Sequence, residues 1–132
     1  MSNNKRYSIL IVDDERSNIR VLNTILNQEY NVYAASDGSD AIEVAEEFLP
    51  DLILLDIIMP DMDGYDVVLK LKSSKKTKDI PVIFITGLNS TDDKEKGLAL
   101  GAVDYIAKPF NDSTVKIKVK NQISILEHNA NS

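Results

Sequence analysis

The sequence predicts a single α/β domain built on a five-stranded parallel sheet. Short apolar segments alternate about five times with segments whose apolar residues recur at helical spacing, and the connections are short. The strand segments show almost no polar alternation, which is typical of strands covered on both faces. At 132 residues the chain fits one domain. We therefore expect a doubly wound sheet with helices on both faces.

Five apolar segments are predicted as strands, and acidic, turn or helix-capping residues end most of them. The central one ends abruptly at Asp56, and a loop with a proline and a glycine follows it. The predicted strands span residues 7–12, 31–35, 50–56, 81–85 and 102–107.

A helical pattern follows each strand. The first and last helices have clear core faces, with Asn111 or Asp112 as the candidate cap of the last one. The fourth helix begins near Ser90 and has few apolar anchors, so we expect it to be the most mobile. The core faces of the first and last helices are predicted to be Ile19, Leu22, Ile25 and Leu26, and Val115, Val119, Ile123 and Leu126.

Composition limits the protein's class. A net charge of −6 argues against direct nucleic-acid binding, which relies on excess lysine and arginine. The absence of cysteine excludes thiolate chemistry, and the apolar runs are too short for a membrane span. We expect a cytoplasmic protein with an N-terminal tail (1–6), a domain (7–127) and a polar tail (128–132) whose His128 is not a ligand.

The carboxyl ends of four predicted strands carry the candidate site. Parallel strands end at one edge of a sheet, so side chains from different strand ends can converge there. Carboxylates at about 4 Å repel by about 4 kcal/mol per pair at an effective dielectric near 20, so a cation is expected among them. Oxygen ligands without histidine or cysteine favour Mg²⁺. The converging residues are Asp13, Asp14, Asp56, Thr86 and Lys108.

Such a group can handle a phosphoryl group. The lysine and a metal neutralise phosphoryl oxygens, a threonine hydroxyl donates to another, and a carboxylate can attack phosphorus to form an acyl phosphate. Asp56 is the candidate nucleophile, because it is the lone acid ending the strand expected at the centre of the sheet.

In combination, these motifs resemble the receiver domain of two-component response regulators over residues 7–126. The resemblance implies the flavodoxin-like strand order 2-1-3-4-5. The motifs that carry it are Asp13-Asp14, Asp56 with the downstream segment 59–64, Thr86-Gly87, and Lys108-Pro109-Phe110.

The resemblance also implies the roles of the site residues. Asp56 would be the phospho-acceptor, and Asp14 and Asp56 would bind Mg²⁺ directly. Asp13 would act largely through water, and the backbone carbonyl of Ile58 would complete the protein ligands. Lys108 would pair with the phosphoryl group, and its bond to Pro109 would be cis.

The implied function is that of a phosphorylation-activated signalling switch, not a conventional enzyme. A sensor histidine kinase or a histidine phosphotransfer protein would supply the phosphoryl group. Thr86 would then move toward it, Tyr105 would swing inward, and the surface of the fourth helix, fifth strand and fifth helix would change. A downstream output domain or target would respond, and a phosphorylation-promoted homodimer is the family's common habit.

Three alternatives remain at this stage. A Mg²⁺-dependent phosphatase with an aspartate nucleophile would place a second aspartate where this chain has Ile58, and would usually carry a cap domain. A flavodoxin-like nucleotide binder would need a phosphate loop after the first strand, where Asp13, Asp14 and Glu15 would repel phosphate. A phosphate-independent binding module is the third.

Two positions depart from the usual pattern of the family. Ile58 is apolar where many relatives place a polar side chain beside the attacking water, so we expect a longer phosphate lifetime. Gly87 leaves room beside Thr86, which would loosen the coupling to Tyr105. Exposed Ile117 on the last helix would mark a partner surface or be an ordinary surface residue.

Overall fold

The computed structural model describes residues 5–87 and 91–130. Five parallel strands form one sheet in the order β2-β1-β3-β4-β5, which confirms both the fold class and the strand order implied by the family resemblance. The strands are β1 (Ser8–Val12), β2 (Asn31–Ala35), β3 (Leu52–Asp56), β4 (Val82–Thr86) and β5 (Asp104–Ala107).

A helix follows each strand. None of the helices in the described part of the chain is long and apolar enough to cross a membrane. The helices are α1 (Arg16–Leu26), α2 (Gly38–Phe48), α3 (Gly64–Lys72), α4 (Thr91–Ala99) and α5 (Asp112–Ala130).

Alternate strand residues face opposite layers of the core, as the pleat requires. Ile9 and Ile11 of β1 pack with α1 and α5, whereas Leu10 and Val12 pack with α2 and α3. All five residues of β3 and of β4 are buried, so these two strands are covered on both faces. Burial on both faces explains why the sequences of these two strands show no polar alternation.

The strand register aligns the carboxyl ends at one edge. Val12 pairs with Leu55, Asp56 pairs with Ile85, and Thr86 pairs with Ala107. The polar residues at and just after these strand ends are therefore brought to a common edge of the sheet.

Side-chain caps define where three helices begin. Asp37 accepts a hydrogen bond from the Asp40 amide at 2.8 Å, and Asp63 accepts one from the Asp66 amide at 2.9 Å. Of the two candidate caps of α5, Asn111 is the one used, because its side chain accepts from the Thr114 amide.

Several element boundaries differ from the predicted ones, including the start of β3, which lies at Leu52 and not at residue 50. The Arg6 guanidinium donates to backbone carbonyls at the end of α1, including Gln28 at 3.0 Å, so part of the expected N-terminal tail is anchored. Strand β5 begins at Asp104, two residues later than predicted, and α5 continues to Ala130 through the expected C-terminal tail. Ser90, the expected start of α4, lies outside the described residues.

Candidate functional site

The predicted site residues meet at the carboxyl edge of the sheet. Asp13 and Asp14 directly follow β1, Asp56 and Thr86 are the last residues of β3 and β4, and Lys108 follows β5. Asp13, Asp56 and Thr86 are buried, whereas Asp14 is exposed. The convergence predicted from the sequence is therefore present in the structure.

Lys108 reaches two of the carboxylates. Its Nζ lies 3.3 Å from Asp56 Oδ1 and 3.5 Å from Asp13 Oδ2. Its side chain is 25% exposed, so the ammonium sits at the rim while both carboxylates lie below it. The peptide bond from Lys108 to Pro109 is cis, as expected, and the Lys108 amide donates to the Thr86 carbonyl at 2.9 Å.

Burial and crowding favour the protonated form of Asp56. Desolvation, followed by the nearby charge of Asp13, raises the pKa of Asp56 from 3.8 to about 6, against the opposing effect of Lys108. The ionised carboxylate is thus incompletely compensated by the protein's own charges. A further cation beside Asp56 would favour ionisation.

The same neighbours act on Lys108 in the opposite sense. Burial lowers the pKa of the ammonium, but attraction to Asp56 and Asp13 outweighs it, so the pKa of Lys108 is raised overall. Lys108 therefore stays charged across the physiological range.

The three aspartates form a group suited to a cation. One oxygen from each of Asp13, Asp14 and Asp56 lies within 4.8 Å of the other two. Asp13 Oδ1 accepts from the Glu15 amide at 2.9 Å, but Asp13 Oδ2 is buried and accepts no hydrogen bond within the described chain. A buried carboxylate oxygen that makes no hydrogen bond, and whose ion pair with Lys108 at 3.5 Å is shared with Asp56, fits a hard divalent cation in this all-oxygen set.

The loop after β3 is folded tightly against the site. The Gly64 amide donates to the Ile57 carbonyl at 2.7 Å, and a Cβ on Gly64 would lie 2.5 Å from the Asp56 carbonyl oxygen. Only glycine allows this approach. The loop also contains Asp61 at φ 67°, and Ile58, whose side chain is 61% exposed.

An open cleft of about 270 Å³ lies above the carboxylates. Asp14, Ile58 and Lys108 are among the residues that line it, together with Thr86 and Gly87. A Cβ on Gly87 would meet no atom within 4 Å, so the expected open space at this position is present.

Thr86 and Tyr105 border a second, much smaller cavity beneath α4. Its volume is about 10 Å³, and Phe84 and Gly97 also line it. A Cβ on Gly97 would lie 2.7 Å from the Phe84 ring, so α4 packs closely over this part of the sheet.

Two lysines that the sequence does not predict at this site contact Tyr105. The ammonium groups of Lys94 and Lys118 lie 4.5 and 4.4 Å from the centroid of its ring. No local sequence pattern predicts these two contacts, because the lysines belong to different helices and approach Tyr105 only through tertiary packing.

Several other side chains singled out in the sequence lie outside the site. Ile117 is exposed, and the three lysines of the loop after α3 are exposed as predicted. Met59 is buried in the core, and Met62 packs against it. His128 lies within α5, exposed and away from the site, and not in a disordered tail. The three exposed loop lysines are Lys75, Lys76 and Lys78.

Comparison with known proteins agrees with this geometry. Residues 9–120 match the response regulator receiver domain. The chain is 44% identical over 113 residues to the response regulator PleD of Caulobacter vibrioides, covering 85% of this chain and 25% of PleD. It is 42% identical over 119 residues to a probable cyclic di-GMP phosphodiesterase of Vibrio cholerae, covering 90% of this chain and 27% of that protein.

A solved structure gives the same result. The receiver domain of the sensor histidine kinase PA1611 from Pseudomonas aeruginosa, described with a magnesium ion coordinated in its active-site cleft, superposes with a TM-score of 0.83. The identity is 30%, and the match covers 91% of this chain and 99% of that one. The chain spans about a quarter of the length of the two relatives above. With its fold, strand order and acidic site, the chain belongs to the receiver domains of two-component response regulators.

Proposed function

We propose that the chain is a phosphorylation-activated switch whose phospho-acceptor is Asp56. The observation that carries the proposal is the contact of Lys108 with Asp56 inside a group of three carboxylates. Lone strand-end acids are common, but a buried acid with a cation at 3.3 Å and an open cleft above it can receive a phosphoryl group.

Mg²⁺ is the cofactor that the site would hold. Asp14 and Asp56 would supply direct carboxylate ligands, Asp13 would act largely through water, and the Ile58 carbonyl would complete the protein set. The buried Asp13 Oδ2, which makes no hydrogen bond within the described residues and shares the Lys108 ammonium with Asp56, and the raised pKa of Asp56 both support a cation there. When bound, the ion would neutralise phosphoryl oxygens and keep Asp56 ionised.

The transfer itself is a displacement at phosphorus. A carboxylate oxygen of Asp56 attacks the phosphoryl group of a phosphohistidine, and the bond from phosphorus to the histidine nitrogen breaks. The bond electrons leave with that nitrogen. Lys108 holds its ammonium next to Asp56 and compensates the charge of the phosphoryl oxygens.

The phosphoryl donor would be a sensor histidine kinase or a histidine phosphotransfer protein. The partner that responds to the phosphorylated chain would be an output domain or a target protein. In PleD and the Vibrio cholerae protein the matched region is about a quarter of the whole. Phosphorylation would draw Thr86 toward the phosphoryl group and Tyr105 inward, and would change the surface of α4, β5 and α5. That surface could also pair two copies of the chain.

The test is incubation with acetyl phosphate, with and without Mg²⁺, followed by intact mass measurement. The expected result is gain of one phosphoryl group that requires both Mg²⁺ and Asp56. Asp56→Asn should abolish the gain, and Asp61→Asn, a change of an exposed acid in the neighbouring loop, should preserve it. No adduct on the unmodified chain would favour a phosphate-independent binding module instead.

A further inference from the structure

Two lysines from different helices grip the ring of Tyr105. Lys94 of α4 and Lys118 of α5 each place an ammonium within 4.5 Å of the ring centroid. Tyr105 is only partly buried, so packing alone does not hold its ring against movement toward solvent or, with α4 displaced, toward the core. Cation–π attraction at both lysines opposes either movement.

Lys118 is the fixed side of this grip. Its ammonium donates to the Tyr105 carbonyl at 2.6 Å and to Asp104 Oδ1 at 3.3 Å. Asp104 Oδ1 also accepts from the Tyr105 amide at 2.8 Å. These bonds fix the ammonium relative to the backbone of β5, so its position does not depend on where the ring lies.

Lys94 is the movable side, because α4 is weakly anchored. Gly97 is the one buried residue of this helix. A further cation–π contact, between the Lys96 ammonium and the Tyr65 ring at 4.4 Å from its centroid, helps to hold the helix in place. The Tyr65 hydroxyl also donates to the Asp93 carbonyl at 3.3 Å. Polar and cation–π contacts thus replace the apolar face that the other helices use.

The space that the ring would enter is closed at present. The cavity between Thr86 and Tyr105 holds about 10 Å³, close to the minimum for one water molecule. Gly97 packs α4 closely over the Phe84 ring on the same side. An inward swing of Tyr105 therefore requires α4 to move, and both movements break the contact with Lys94.

We propose that Lys94 and Lys118 are positioning residues that hold Tyr105 in its resting place and raise the threshold of the switch. This inference rests on the proposed function, in which Tyr105 moves inward on phosphorylation. In this proposal an inward swing separates the ring from both ammonium groups, so the two contacts favour the resting state and disfavour the activated state by the same factor.

The first test measures the grip alone, without phosphorylation. Urea unfolding of the whole chain is compared for the unmodified protein, Lys118→Met, Tyr105→Leu and the double variant. The hydrogen bonds of Lys118 to Asp104 and to the Tyr105 backbone cancel in this cycle, because they do not depend on the tyrosine side chain. We expect coupling of about two- to fivefold in the unfolding constant. No coupling, in this cycle and in the one with Lys94→Met, would overturn the proposal.

The second test measures the threshold. The chain is titrated with beryllofluoride, a phosphoryl mimic, in the presence of Mg²⁺, and conversion is followed by amide NMR. We expect Lys94→Met and Lys118→Met each to lower the beryllofluoride concentration at the midpoint about two- to fivefold. Lys94→Arg and Lys118→Arg, which keep the positive charge, should leave that concentration close to its value in the original chain. Lys116→Met removes an exposed charge from the same helix and should not lower it.

The outcomes separate the two proposals. A midpoint shift that persists in the Tyr105→Leu background, or unchanged midpoints in the lysine variants, would overturn the role of the grip and leave phosphorylation of Asp56 intact. If the chain without substitutions binds no beryllofluoride, both the proposed switch and the proposed threshold are overturned. The unfolding cycle would then show only whether the lysines hold the Tyr105 ring.

Discussion

Lys108 Nζ lies 3.3 Å from Asp56 Oδ1, and it is shared with Asp13 Oδ2 at 3.5 Å. One cation therefore serves two buried carboxylates, and the exposed Asp14 adds a third negative charge nearby. Burial, followed by the uncompensated charge of Asp13, therefore keeps the pKa of Asp56 raised, to about 6, although a lysine is in contact with it. The crowded carboxylates therefore destabilise the folded state, and a second cation bound among them would reduce that destabilisation.

Removing the shared cation should destabilise the resting protein. Lys108→Met leaves Asp13 and Asp56 without compensation, and we expect a loss of about 1–3 kcal/mol in the free energy of unfolding at pH 8, less than for a fully buried pair because the lysine is partly exposed. Urea unfolding measures it. Lys76→Met, in an exposed turn, is the control and should have almost no effect. Equal stability of the two variants would contradict the account.

The pKa of Asp56 predicts how stability depends on pH. An acid whose pKa is higher in the folded state than in the unfolded one binds its proton more tightly when folded, so stability falls as pH rises from about 4 through about 6. We expect Asp56→Asn to raise the free energy of unfolding at pH 8 by about 1–3 kcal/mol, and to give almost no gain near pH 4. Unfolding curves at several pH values test this, and a gain independent of pH would contradict it.

Divalent cations should stabilise the unmodified chain. At a Mg²⁺ concentration ten times the dissociation constant, binding to the folded state adds about 1.4 kcal/mol. Thermal unfolding with Mg²⁺ and with EDTA measures the difference. Asp13→Asn and Asp56→Asn should lose most of it, whereas Asp61→Asn should retain it. Equal stabilisation of all four proteins would place the ion elsewhere.

Two glycines at the site should respond differently to alanine. Gly64→Ala forces a methyl group to 2.5 Å from the Asp56 carbonyl oxygen, so the loop that carries Ile58 must shift, and we expect a loss of about 2 kcal/mol or more and weaker Mg²⁺ binding. Gly87→Ala meets open space and should leave stability within about 0.5 kcal/mol. Similar losses at both positions, measured by urea unfolding, would refute the assigned close approach. Equal signalling by Gly87→Ala would weaken the idea that this glycine loosens the switch.

Ile58 should lengthen the life of the phosphorylated state. Its exposed side chain lines the cleft but offers no hydrogen bond to an attacking water. Ile58→Asn restores a polar group, and we expect hydrolysis about two- to tenfold faster, the value of one hydrogen bond. Decay of the phosphorylated mass after removal of acetyl phosphate measures it, with Ile58→Leu as the apolar control. An unchanged lifetime in the asparagine variant would remove Ile58 from the account.

Much of the fold could be predicted because its signals are local. Strands such as β3 and β4 are unbroken apolar runs, and Asp56, Thr86 and Lys108 mark strand ends, so parallel pairing brings them together without further information. The boundaries of β5 and α5 were harder. Polar residues after Leu126 were interpreted as a tail, although asparagine, histidine and glutamate can continue an exposed helix to Ala130.

Features that depend on tertiary packing could not be predicted. The grip of Lys94 and Lys118 on Tyr105 joins α4, α5 and β5, and the sequence shows only three unremarkable positions. The buried Asp13 Oδ2 is likewise invisible in an acidic pair that looks solvated. Arg6 was assigned to a free tail because its partners at the end of α1 are more than twenty residues away.

Asp56 itself should carry the phosphoryl group, and chemical trapping of the modified residue shows where that group is bound. The chain is incubated with acetyl phosphate and Mg²⁺, reduced with borohydride, which converts an aspartyl phosphate to homoserine, and digested for tandem mass spectrometry. We expect homoserine at position 56, and no homoserine when Mg²⁺ is omitted. Homoserine at another aspartate, or none in a chain that has gained the mass of a phosphoryl group, would contradict it.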